Sequence, residues 1–136
     1  MRKFLLILAL AFTFICIMPN ESNAQTMWFK TYQMAIKFKI NGYWGNWSKW
    51  EKCTMPIKFD LDNDIIIIYS NKTQYYKVVE QGESPYDSSG RQILFYVVDG
   101  EGDRGYIRLR VENTGGCQIY VDFADVSWVY NIYRTE

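Results

Sequence analysis

The sequence predicts an all-β fold: a single domain built as an antiparallel meander of eight to nine short strands. Three observations carry this. From Tyr32 to Ile40, the residues Tyr32, Met34, Ile36, Phe38 and Ile40 alternate with Gln33, Ala35, Lys37 and Lys39, the period-two pattern of a half-buried strand. Clusters of Gly, Asn, Asp and Ser punctuate the chain at short intervals after that. No segment beyond residue 24 keeps a helical period for more than a turn or two.

The beginning of the chain reads differently. Arg2 and Lys3 precede an apolar run from Phe4 to Met18, broken only by Thr13, and Ser22-Asn23-Ala24 puts small residues where an export peptidase reads them. Residues 1–24 are therefore expected to be a secretory signal peptide cleaved near Ala24, with a secreted or periplasmic product. The apolar run is shorter than the roughly 20 residues of a membrane span. No other stretch reads as a spanning helix, so the product is not expected to be membrane-embedded.

Residues 25–136 make up the predicted β domain, and a chain of that size can hold one core. The first strand ends at Asn41-Gly42, where both residues accept the positive φ of a type I′ hairpin turn. A second strand should return through the tryptophan-rich stretch 43–53. Further strands are expected at Ile57–Leu61, Ile65–Tyr69, Gln74–Glu80, Gln92–Val98, Gly105–Glu112, Cys117–Phe123 and Val126–Tyr133. Their separators are Asp62-Asn63-Asp64, Gly82–Gly90, Asp99–Asp103 and Asn113–Gly116.

Two of these strands, Ile65–Tyr69 and Ile93–Val98, are apolar on both faces and would be hazardous as open edges. Closure into a small barrel, lipocalin-like or calycin-like in architecture, removes every edge, and a two-sheet sandwich is the lesser alternative. Either way the outward apolar face needs cover: a second layer, a ligand, a protein partner, or other copies of the chain in a homo-oligomer.

Composition removes several functions. The chain has 15 basic and 15 acidic residues, and Arg2, Lys3 and Glu21 lie before residue 25, so the domain's net charge is close to zero. Such a balance gives no electrostatic case for nucleic acid. Histidine is absent, which removes the commonest general base and the commonest zinc ligand together. No cofactor or metal is implied. Cys53 and Cys117 are the two cysteines beyond the leader, and in an exported chain they are expected to form a disulfide.

The stretch "NGYWGNWSKWEKC", residues 41–53, carries Trp44, Trp47 and Trp50 at a spacing of three. Its second half resembles the W-x-x-W-x-x-C signature of thrombospondin type 1 repeats, in which tryptophans interleave with arginines, here Arg108 and Arg110. The resemblance covers only seven residues, and that family is disulfide-dense where this chain has two cysteines, so no fold or function is carried over. On a regular strand a spacing of three divides the set. A two-residue turn at Asn41-Gly42 pairs residues whose numbers sum to 83. Trp47 then faces Ile36 on the apolar side, while Trp44 faces Lys39, Asn46 faces Lys37, Ser48 faces Ala35 and Trp50 faces Gln33. This puts Trp44 and Trp50 outside as flat platforms, with Gln33, Lys39, Asn46 and Ser48 as polar contacts. Indoles beside amides and hydroxyls suit a glycan, and tryptophan suits a protein interface equally well. Two structural readings compete with binding: the stems of Lys39 and Lys52 lying across the rings, and a bulge at Gly45 that shifts the register and turns the ring of Trp44 inward.

The remaining candidates read as structure. Asp60–Asp64 lacks the Gly and Glu positions of a helix–loop–helix calcium site, and Asp99–Asp103 reads as a tight polar turn. Asp122 and Asp125 are the one close carboxylate pair in an aromatic setting, and Asp125 is better suited to capping the last turn than to glycoside hydrolysis. Ser88-Ser89-Gly90 lacks a histidine partner. The expectation is a non-enzymatic exported protein that binds through an exterior aromatic face. The alternatives are a barrel enclosing an apolar ligand and a self-assembling subunit.

Overall fold

The computed structural model describes residues 26–87 and 89–135, without the side chains of 83–88, and the expected signal peptide lies outside the described residues. Ten strands follow one another: β1 (Thr26–Ile40), β2 (Tyr43–Trp44), β3 (Glu51–Lys52), β4 (Pro56–Asp60), β5 (Ile65–Ile68), β6 (Gln74–Asp87), β7 (Gly90–Asp99), β8 (Arg104–Glu112), β9 (Cys117–Asp122) and β10 (Val126–Arg134). Seven of them pair in chain order from β4 to β10, and β1 closes the circle as the eighth by pairing with both β4 and β10. The result is a closed, antiparallel, up-and-down barrel of the calycin-like kind, as the strand pattern predicts. β2 and β3 are two further short strands on the edge of β1 that β4 leaves open.

The barrel interior is apolar and filled. Phe29, Phe59 and Phe95 meet edge to face at centroid distances of 5.5 and 5.4 Å, surrounded by the buried Ile57, Ile66, Ile107 and Ile119. Ile65–Ile68 is not an edge: Ile66 and Ile68 point into this core, and Ile65 and Ile67 are half-covered on the outer wall between the side chains of β4 and β6. Among the described residues no helix is long and apolar enough to cross a membrane.

Two bulges explain where the strand pattern misleads. β1 begins six residues before the predicted Tyr32, with Met27, Phe29 and Thr31 facing inward. Its pairing with β10 then slips by one residue between Thr31 and Gln33. Tyr32 is the extra residue, so the inward set changes from odd to even numbers, and only the second half is visible as a clean alternation. β6 likewise slips between Val78 and Glu80 and continues through the expected Gly82–Gly90 loop.

The expected disulfide does not form: Cys53 and Cys117 are both thiols. They share the inner face, as their parity implies, and both pack against the core. Sharing a face is not adjacency, however. Cys117 pairs with Ile132 of β10, Ile132 pairs with Thr31 of β1, and the Cys53 amide donates to the Tyr32 carbonyl on the far edge of β1. Two whole strands stand between them, about 14 Å along the wall at the usual strand spacing. A disulfide tolerates a Cα separation of only about 7 Å. Cys53 instead donates through Sγ to Thr31 Oγ1 at 3.3 Å, and that same hydroxyl accepts from the Met55 amide at 2.9 Å.

Candidate functional site

The hairpin at Asn41-Gly42 forms as its sequence dictates. Both residues have positive φ, 53° and 83°, and Lys39 pairs with Trp44 and Ile40 with Tyr43. The Gly45 amide still donates to Phe38 O, in the same register. After that the chain leaves the ladder. The Ser48 amide, rather than that of Trp47, donates to Ile36 O at 2.8 Å, and the Ile36 amide donates back to Ser48 Oγ at 2.9 Å. By β3 it is Lys52, not Trp50, that pairs with Gln33. Residues 45–50 thus contain two more residues than the partner strand can match.

This wide bulge overturns the expected division of the tryptophans. Trp47 is not a core residue. It is 38% exposed, close to Trp44 at 41% and Trp50 at 44%. Trp44 and Trp47 flank a single amine: Lys37 Nζ lies 5.1 Å from the first ring centroid and 4.5 Å from the second. Lys39 Nζ approaches Trp44 at 5.7 Å. Lysine packing against the rings, one of the two structural alternatives to binding, is therefore present, yet all three indoles keep more than a third of their surface in solvent.

Trp47 reaches further. Its ring meets Tyr120 of β9 edge-on at 6.2 Å, two strands away from β1. Ala35, Val129 and Tyr120 lie in register across β1, β10 and β9 on the outer wall. Ala35 and Val129 are only 2% and 3% exposed although they do not belong to the interior core. An indole that starts beside β1 and ends at Tyr120 has to cross these two small side chains, which accounts for their burial.

A row of amides runs parallel to this trough. Gln33 pairs with Asn131 and Asn131 with Gln118. Asn131 Nδ2 donates to Gln33 Oε1 at 2.9 Å, Gln118 Nε2 donates to Asn131 Oδ1 at 3.0 Å, and Tyr120 Oη donates to Gln118 Oε1 at 3.0 Å. Beyond Tyr120, Arg108 stacks on the ring at 4.1 Å and donates twice to Asp122, at 2.6 and 3.2 Å, while Ser127 Oγ donates to Asp122 Oδ1 at 2.5 Å. Burial pushes the Tyr120 hydroxyl up, and the positive charges of Arg108 and Arg110 oppose that rise.

Of the predicted contacts, Lys39 and Gln33 therefore stand on this wall, Ser48 pins the bulge to β1, and Asn46 is exposed in the bulge itself. Sequence reasoning missed Trp47, Tyr120, Asn131, Gln118 and Arg108. The alternation of Gln118, Tyr120 and Asp122 against Ile119 and Val121 was the available signal for the β9 members. Asp122 and Asp125 do not form a pair: Asp122 is bound on the outer wall, whereas Asp125 lines the mouth of the barrel. Among the described residues, no group of three or more His, Cys, Asp or Glu side chains is arranged to hold a metal ion.

No family model matches the chain, and neither a curated protein nor a solved structure matches it.

Proposed function

We propose that the chain is an exported, non-catalytic binding protein that holds an extended glycan along this outer wall. The observation that carries the reading is the pairing of three exposed indoles, two of them held by Lys37, with a pre-ordered amide row. Trp44, Trp47 and Trp50 offer apolar faces to sugar rings. Gln33, Asn131 and Gln118 are held by one another, and an amide retains further donor and acceptor capacity for hydroxyls. Ordering of both components in advance reduces the entropy cost of binding. The alternative of an apolar ligand inside the barrel is disfavoured by the filled interior, where Phe29, Phe59 and Phe95 occupy the centre.

The test is retention of the exported chain on insoluble cellulose, chitin and cell-wall preparations, beside a folded Trp44→Ala/Trp50→Ala variant. Retention of the native chain and its loss in the variant supports the glycan reading and locates it. Equal retention of both, or retention of neither, contradicts it.

A further inference from the structure

A second site lies at the end of the barrel near the β9–β10 turn, away from the outer wall. A pocket of about 410 Å³ opens there, lined by Tyr76, Phe123 and Trp128 together with Asp99, Asp103 and Asp125. Its volume is that of a small-molecule site. We propose that this mouth binds a small organic cation with an apolar body, such as an alkylammonium, seated against the three rings and facing the three carboxylates.

The rings form a connected cluster. Phe123 stacks on Trp128 at 6.3 Å with only 15° between their planes, and Tyr76 leans on Phe123 at 6.1 Å. Phe123 can lie this low because residue 105 is glycine. A Cβ there would come within 2.8 Å of the Phe123 ring and 2.5 Å of the Asp122 carbonyl. The aromatic faces attract cations through their quadrupoles and bury apolar groups at the same time.

The charge is set by three aspartates against one arginine, Arg104, which also lines the pocket. The carboxylates stand on ordered turns. Asp99 Oδ1 accepts from the amides of Glu101 and Asp103, both at 2.9 Å, and the turn that holds Asp125 is closed by the Phe123 amide donating to Val126 O. The negative field reaches into the pocket: the Tyr76 hydroxyl is pushed up first by burial, then by Tyr130 and Asp99. A hard metal ion would want a shell of oxygen ligands where these rings lie. A soft, apolar-bodied cation uses both halves of the lining.

The β1–β2 hairpin extends the same surface upward. Phe38 pairs with Val126, another lining residue, and the Lys39 amide donates to Asp125 O at 2.8 Å, which fixes the hairpin to the rim. Phe38, Ile40 and Tyr43 continue the inward row beyond the barrel and are all exposed. An alkyl chain leaving the pocket would run along them.

Calorimetric titration of the exported chain with hexyltrimethylammonium, hexanesulfonate and hexanol tests this. The expected result is saturable binding of the cation alone. Asp103→Asn/Asp125→Asn should weaken it by roughly tenfold, as loss of two carboxylates in a partly desolvated site implies. Trp44→Ala/Trp50→Ala should leave it unchanged, which separates this site from the glycan wall. Equal binding of all three probes would reduce the pocket to a general apolar surface and overturn the proposal. So would the absence of heat with the cation in a protein whose circular dichroism is native, or an undiminished affinity in the aspartate variant.

Discussion

Lys37 Nζ sits between two indoles, 4.5 Å from the ring centroid of Trp47 and 5.1 Å from that of Trp44. This clamp joins the bulge to the barrel wall, because Lys37 belongs to β1 and both rings come from the returning chain. Replacing Lys37 by methionine keeps the stem and removes the charge. The expected loss is about 0.5–1 kcal/mol, the size of an exposed cation–π contact. Urea denaturation measures it, and a shift in tryptophan emission should accompany it.

Trp47→Ala removes the cover from Ala35 and Val129. The ring is only partly buried, so the expected cost is roughly 1–3 kcal/mol, well below that of a fully buried tryptophan. Hydrogen exchange should rise at 45–50 and in the adjoining part of β1, while the β6–β7 pair keeps its protection.

Arg108→Met leaves Asp122 with Ser127 as its remaining side-chain donor among the contacts described above. Both ion-pair partners are partly exposed, so the loss should be about 1 kcal/mol. Thermal unfolding of Arg108→Met, Asp122→Asn and the double variant gives the coupling between them.

The two thiols make a simple prediction. Intact mass without reductant should correspond to two reduced cysteines, and reductant should leave the melting temperature unchanged. A mass two hydrogens lower would show a bond that this strand order does not allow.

Stability should fall at alkaline pH. Burial raises the hydroxyls of Tyr76, Tyr120 and Tyr130 above their ordinary value of 10.0. Between the unfolded and folded values the native state holds more protons than the unfolded chain, so stability decreases as pH rises. The contribution is intact below about pH 10 and is lost as pH climbs through the raised values. Denaturation midpoints across that window, read against tyrosinate absorbance, measure it.

The barrel was legible in the sequence because most inner rows are period-two runs rich in Ile, Val, Leu and Phe, and most turns carry a Gly, Asn or Asp. Asn41-Gly42 even fixed the register of the first hairpin for Trp44. The register beyond it was not legible. The bulge at Tyr32 adds one residue without a compositional mark and reverses which parity faces the core. The bulge at 45–50, which begins at Gly45, is one residue out at Ser48 and two out at Lys52, so parity is broken at Trp47 and restored by β3. Trp47 changed sides for that reason alone. The Cys53–Cys117 expectation failed on the next level of organisation: parity gives the face of a strand, whereas the distance between strands depends on their order around the barrel.

Tryptophan accessibility in the presence of soluble oligosaccharide tests the wall most directly. A Trp28→Phe/Trp128→Phe variant leaves Trp44, Trp47 and Trp50 as the only indoles. The account predicts that cellohexaose, chitohexaose or a cell-wall oligosaccharide protects these three from acrylamide quenching in a saturable way, and that Gln33→Ala/Asn131→Ala weakens the protection. Unchanged quenching with every sugar that the insoluble panel retains would contradict it, because the rings would then be no part of the contact.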